Sequence, residues 1–349
     1  MDVALPRRTA AGLRILHVDT AREWRGGQVQ LLELVRRAPG VHAVALPRDA
    51  PLASALARER IRVEPVAFRG ELRGSRALAS AIRTFQPDVV AAHTAHGLAH
   101  ALRASISPVV AHRRVDFRPN AIGLRRLSRA ARVIAVSTAV RDVLVAAGVA
   151  VDRISVVRDG VDPFVSSPSS EPVAVPAPFV LAVGALVAHK GHATLVDALP
   201  LLPGVHVAIA GEGPLRATLL RQAARVGVGD RLHLLGSRDD VPALLAAADV
   251  VCHPSHEEGL GQVLIEALLA GAAVVASSAG GIPEVVEGRG LLVPPRDPVA
   301  LSDALRRALA DPDPLRRRAR AGSAALRQDF SVDRMTAGTM SVYAAVAAS

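Results

Sequence analysis

Two glutamates, one lysine and a set of glycine-bearing turns carry the chemistry legible in this 349-residue chain. The most specific stretch reads Pro254-Ser255-His256-Glu257-Glu258-Gly259-Leu260-Gly261-Gln262-Val263-Leu264-Ile265-Glu266-Ala267. Glu258 falls in the loop after an apolar run, and Glu266 falls early in the helical pattern that follows, so both carboxylates can face one pocket at the helix start. Ionised carboxylates accept hydrogen bonds from vicinal hydroxyls. The loop Gly259-Leu260-Gly261, leading into a helix N-terminus, favours a diphosphate. A ligand that carries a sugar, phosphates and a ribose matches all of these groups at once. Two ordinary surface glutamates would explain either residue alone, but not the pair with the loops around it.

Lysine usage singles out a second position. Of 42 basic residues 41 are arginine, and the one lysine is Lys190. It closes the segment Val183-Gly184-Ala185-Leu186-Val187-Ala188-His189-Lys190-Gly191, between a strand and a helix, where an ammonium can reach a phosphate that also meets helix amides. Two more turns lie at strand ends. Gly211-Glu212-Gly213-Pro214 is a tight strand-to-helix turn in which glycine admits a ligand close to the backbone, and Ala279-Gly280-Gly281-Ile282-Pro283-Glu284 again precedes a helix.

Stepwise alternation of short apolar runs with helical patterns supplies the frame for these loops and indicates βα units on parallel sheets. In the first half the expected strands are 13–18, 41–46, 89–93, 109–112, 133–136 and 154–157, with helices over 27–37, 72–85 and 139–147. The Pro/Ser-rich stretch Ser166 to Pro178 cannot sustain a helix or a central strand and reads as a linker. A second series follows, with strands expected at 179–183, 205–210, 232–235, 250–253, 273–277 and 291–293. The expected architecture is α/β: two Rossmann-like, doubly wound parallel-sheet domains, residues 1–165 and 179–331, facing an interdomain cleft, with a last helix at 332–348 packing back on the first domain. Ligands of such sheets bind beyond the carboxyl ends of the strands.

Charge is divided unevenly. Residues 1–165 hold 26 arginines against 14 acids, and the remainder holds 16 basic residues against 18 acids, so the whole-chain balance of +10 belongs to the N-terminal half. That half attracts anions, whether an anionic membrane surface or an acidic acceptor, or is simply a solvated arginine-rich face. Nucleic acid fits poorly, because aromatics are 2% of the chain and the arginines are scattered. No apolar run approaches the roughly 20 residues that cross a bilayer, and the first residues lack a secretory pattern, which predicts a cytoplasmic protein. The single cysteine, Cys252, reads as a small buried side chain.

Taken together, these motifs resemble the glycosyltransferase family 4 group of retaining enzymes with the GT-B fold. The resemblance spans nearly the whole chain. It adds the glycine pair of Trp24-Arg25-Gly26-Gly27-Gln28, the Asp88-to-His93 strand and Asp159-Gly160-Val161-Asp162 to the loops above. It implies that Glu258 contacts donor-sugar hydroxyls, that Glu266 holds the ribose, that Lys190 binds the diphosphate and that His93 lies beside the transferring sugar. Catalytic roles therefore fall to Glu258, Lys190 and His93. Donor binding falls to Glu266, Gly211, Glu212, Gly213, Gly259, Leu260, Gly261, Gly26 and Gly27. A nucleoside-diphosphate sugar is the implied donor, a glycan or glycolipid the implied acceptor, and no metal or cofactor is obligatory.

One departure stands out. The family usually has an arginine where this chain has Ala185, and Arg113 or Arg114, in the loop after the strand at 109–112, are candidates to supply the missing charge. His93, His96 and His100 have spacings that could suggest a metal site, but no acidic or cysteine ligand lies close in sequence. Asp311-Pro312-Asp313 mimics a metal-binding acid pair and is better explained as a turn and helix cap. Two alternatives remain: a nucleotide-sugar epimerase of similar fold, and a non-enzymatic basic polyanion-binding protein, which leaves the glutamate loop unexplained.

Overall fold

The computed structural model describes residues 12–162 and 175–349. Residues 166–174 of the expected linker and the first eleven residues lie outside them. The described chain forms two compact units, one comprising residues up to Gly160 together with Val332–Ser349, the other running from Val161 to Ser331.

The first unit is built on seven strands, β1 (Arg14–Val18), β2 (Val41–Leu46), β3 (Arg62–Pro65), β4 (Val89–Ala92), β5 (Val109–Arg113), β6 (Arg132–Ala135) and β7 (Ile154–Val156). They form one parallel sheet in the order β3-β2-β1-β4-β5-β6-β7. The second unit holds β8 (Phe179–Val183), β9 (His206–Ala210), β10 (Leu232–Gly236), β11 (Val250–His253), β12 (Val274–Ser277) and β13 (Leu291–Val293), also parallel, in the order β10-β9-β8-β11-β12-β13. Valine, isoleucine, leucine and alanine dominate the central strands because helices cover both sheet faces and leave no solvated side. Strand order reverses between β1 and β4 and again between β8 and β11. At each reversal the loops diverge and leave room for a ligand.

All twelve expected strands are present, with ends shifted by no more than a residue or so, and β3 is an addition. Its sequence, Arg62-Val63-Glu64-Pro65, has no apolar run because it pairs on one side only and lies half exposed at the sheet edge. The last helix, Val332–Ala347, packs on the first sheet: Met340, Tyr343 and Val346 join Leu13, Ile15, Val89, Ala91, Val110 and Ile134 in one buried cluster. Burying such side chains contributes on the order of 1.5–3 kcal/mol each. Among the described residues no helix is long and apolar enough to cross a membrane.

Candidate functional site

At the β8/β11 reversal of the second unit, Lys190 and Glu258 meet. The Lys190 Nζ lies 2.5 Å from Glu258 Oε2, and the same oxygen accepts from His253 Nε2 at 2.8 Å and from the Ser255 hydroxyl at 3.3 Å. Burial alone would raise the Glu258 carboxyl. The Lys190 ammonium and the His253 bond outweigh it and hold the group well below the usual carboxylate range, so it is ionised. His253 ends β11, and burial keeps its imidazole below its ordinary value. The arrangement is an ion pair seated on a neutral histidine.

Glycines hold these loops at van der Waals distance. Gly191 has φ +68°, and a Cβ there would sit 1.9 Å from the Pro254 carbonyl oxygen, while a Cβ on Gly211 would sit 2.0 Å from that of Gly184 and one on Gly213 2.6 Å from that of Leu186. Backbone bonds cross the same gaps: Leu186 N–H donates to Glu212, His256 N–H to His189, and Gly281 N–H to Glu258. At Gly211 and Gly213 the absent side chain thus admits a neighbouring loop. The Glu212 side chain turns outward to Arg216 at 3.3 Å, and only its backbone joins the cluster.

Gly261 is the N-cap of the helix Gln262–Leu269, and Leu260 is buried beneath it. Glu266 stands on that helix. Burial pushes its carboxyl up to about 7, so in the ligand-free chain it carries a proton for much of the time near neutrality, where sequence reasoning treated it as ionised. His192 was not singled out from sequence. It is buried, pushed down to about 4 by that burial and by neighbouring His253 and Lys190 charge, and neither ring nitrogen reaches good hydrogen-bond geometry.

In the first unit the β1/β4 reversal gathers a different set. Gly26 and Gly27 open the helix Gly26–Arg37, and Gly27 lacks a side chain where Arg114 passes. Arg114 Nε pairs with Asp159 at 3.0 Å, and its Nη1 approaches His93 Nδ1 at 3.4 Å. Arg113 instead bonds the carbonyls of Val115 and Phe117 and lies over the Phe117 ring. Only Arg114 of the two therefore joins His93. The three spaced histidines diverge: His93 bonds His17, His100 bonds Ser75, and His96 is exposed. The Asp311 side chain accepts from the backbone of Asp313 ahead of the helix Asp313–Asp329. Cys252 is fully buried, which raises its thiol and leaves it unreactive.

Family models match both units of the chain. Residues 24–163 match Glycosyltransferase Family 4, and residues 167–327 match Glycosyl transferases group 1. A D-inositol 3-phosphate glycosyltransferase from Xylanimonas cellulosilytica is 34% identical over 281 residues, covering 74% of this chain and 66% of that one. Glycogen synthase of Mycobacterium tuberculosis is 38% identical over 205 residues, 55% of this chain and 49% of the synthase, so the match spans about half of that relative. The crystal structure of Anabaena HepE in complex with UDP and glucose superposes with a TM-score of 0.86 at 26% identity, over 95% of this chain and 99% of HepE. With two parallel α/β units and family matches over both, the chain belongs to the group 1 glycosyltransferases of the family 4 type, with the GT-B fold.

Proposed function

We propose that the chain is a retaining glycosyltransferase that moves a sugar from a nucleoside-diphosphate sugar to a glycan, lipid-linked or lipopolysaccharide-type acceptor. The observation that carries this reading is the ion pair of Lys190 and Glu258 seated among glycine-packed loops at the β8/β11 reversal. Lys190 is positioned to exchange its contact with Glu258 for the donor diphosphate and to stabilise the negative charge that develops as the phosphate departs. Glu258, released from part of that pairing, is left to accept hydrogen bonds from sugar hydroxyls. Glu266, held near neutrality by burial, suits a ribose whose hydroxyls both donate and accept. The leaving phosphate takes the acceptor proton in a same-face transfer, so no nucleophilic carboxylate is required. HepE, which was solved with UDP and glucose, supports the donor class.

The acceptor side draws on surface chemistry. Leu72, Phe117 and Ile122 are exposed at 60%, 50% and 62%, and the helix Ala121–Arg129 that carries Ile122 also carries exposed Arg125 and Arg129. Apolar tips among arginines suit a peripheral protein working at the cytoplasmic, anionic face of a membrane.

A panel of UDP-, GDP- and ADP-sugars tests the proposal through nucleotide release and protection against thermal unfolding. One donor should protect the protein and release nucleoside diphosphate, faster with acceptor, and Glu258→Ala should abolish release while staying folded. Silence toward every donor would overturn the reading, and conversion of the free nucleotide sugar without acceptor would establish an epimerase in its place.

A further inference from the structure

Four imidazoles and one phenol lie in an unbroken row through the first unit. His42 Nδ1 is 3.0 Å from His17 Nε2, and His17 Nδ1 is 3.0 Å from His93 Nε2. The His93 ring stacks on His112 at 4.2 Å between centroids, and His112 Nε2 meets the hydroxyl of Tyr343 at 2.6 Å. These side chains come from β2, β1, the residue after β4, β5 and the last helix, so only the folded sheet assembles them.

Donor and acceptor rules determine the direction of the row. At one end His42 Nε2 faces the Pro39 carbonyl at 3.1 Å, which can only accept. His42 Nε2 must therefore carry hydrogen, and a neutral ring then leaves Nδ1 as an acceptor. The His17 Nε2–H donates to it, which makes His17 Nδ1 an acceptor for His93 Nε2–H. His93 is left with an Nδ1 lone pair. At the other end that lone pair faces Arg114 Nη1, which can only donate, and Arg114 is itself held by Asp159. The long Arg114 contact at this end agrees with the orientation that the Pro39 carbonyl and the shorter His42–His17–His93 bonds set from the other. Burial keeps His17, His93 and His112 far below the ordinary imidazole value, with further lowering by neighbouring histidines and Arg114.

We propose that His17 and His42 are positioning residues that lock His93 as its Nε2–H tautomer, so that His93 offers an Nδ1 lone pair to a hydroxyl of the sugar being transferred. The assignment of the ligand rests on the transferase reading; the tautomer does not. A hydroxyl that donates into Nδ1 replaces the long Arg114 contact, and Arg114 stays with Asp159. A sugar lacking that hydroxyl leaves the lone pair against the guanidinium and gains nothing from His93.

Histidine-selective ¹⁵N labelling with long-range ¹⁵N–¹H correlation on the ligand-free chain reads the tautomers without any donor. Wild-type His17 and His93 should both appear as Nε2–H. In His17→Phe, which removes the acceptor, His93 should shift to a mixed or Nδ1–H signal, and the donor kcat/KM should fall about tenfold, the scale of one neutral hydrogen bond. In His17→Asn, whose amide oxygen can accept from Nε2–H, the His93 signal and activity should return to near wild type. His42→Phe, at the half-buried end of the row, provides a second variant with a smaller shift in the same direction if His17→Phe does not fold. Nδ1–H for His93 in the wild type, or an unmoved Nε2–H signal in both phenylalanine variants, would overturn the proposal. Absence of transfer with every donor, alongside the expected tautomers, would refute the transferase reading and leave the positioning role standing.

Discussion

The two units repeat one plan and equip it in opposite ways. At the β8/β11 reversal the second unit keeps a formal ion pair, Lys190 with Glu258, whose side chains retain 21% and 14% exposure. At the β1/β4 reversal the first unit, despite its excess of arginine, buries neutral imidazoles and matches Arg114 to Asp159. Topology places a crevice at both reversals, but it does not choose the electrostatics; the side chains at the strand ends do. In the reaction proposed above the charged crevice suits a departing diphosphate, and the neutral one suits a sugar hydroxyl that must be oriented without altering its charge.

That contrast can be broken most forcefully at the ion pair. Glu258→Ala should lower kcat on the order of 10³-fold in a donor assay, with native circular dichroism, whereas a loss under tenfold would place the main electrostatic work elsewhere. Lys190→Ala adds a stability cost, because it removes the countercharge from a buried carboxylate while the His253 and Ser255 bonds stay: about 3 kcal/mol by urea denaturation at pH 7. The native Glu258 value is held low, so the stability it contributes is present above its unfolded value near 4.5 and is lost as the pH falls below it. The variant's deficit should therefore shrink in acid.

Glu266 and His17 sharpen the contrast through opposite pH signs. Glu266 is raised from 4.5 to about 7, so stability present below 4.5 is lost as the pH rises through 7. Glu266→Gln should gain on the wild type over that window, by up to about 3 kcal/mol in thermal or urea unfolding. His17 is lowered, so its contribution is complete above about 6.5 and is lost as the pH falls below that value; His17→Asn should gain on the wild type only on the acid side. The smallest effect belongs to Glu212→Ala. Its exposed pairing with Arg216 predicts a donor KM within about twofold of wild type, since only its backbone holds the loops.

Much of this was legible in the sequence for identifiable reasons. Central strands announce themselves because two covered faces demand continuous apolar runs, and an edge such as Arg62-Val63-Glu64-Pro65 escapes notice because one face is wet. Glu258 and Lys190 were readable as separate motif residues, yet their direct pairing across 68 positions, and His253 as their support, required the fold. The histidine row was illegible for the same reason. His17 and His42 are single polar residues inside apolar strands, a local signal of burial, but parallel pairing alone brings their rings into hydrogen-bond contact. Between adjacent Arg113 and Arg114, sequence offers no sign of which turns inward.

The last helix has a consequence for synthesis. Because Met340, Tyr343 and Val346 complete the core of the first sheet, a nascent chain leaving the ribosome can finish the second unit while the first still lacks its final wall. The amino-terminal half is made first and matures last, and a stop codon inside the helix Val332–Ala347 would strike the unit built mostly from the opposite half of the sequence.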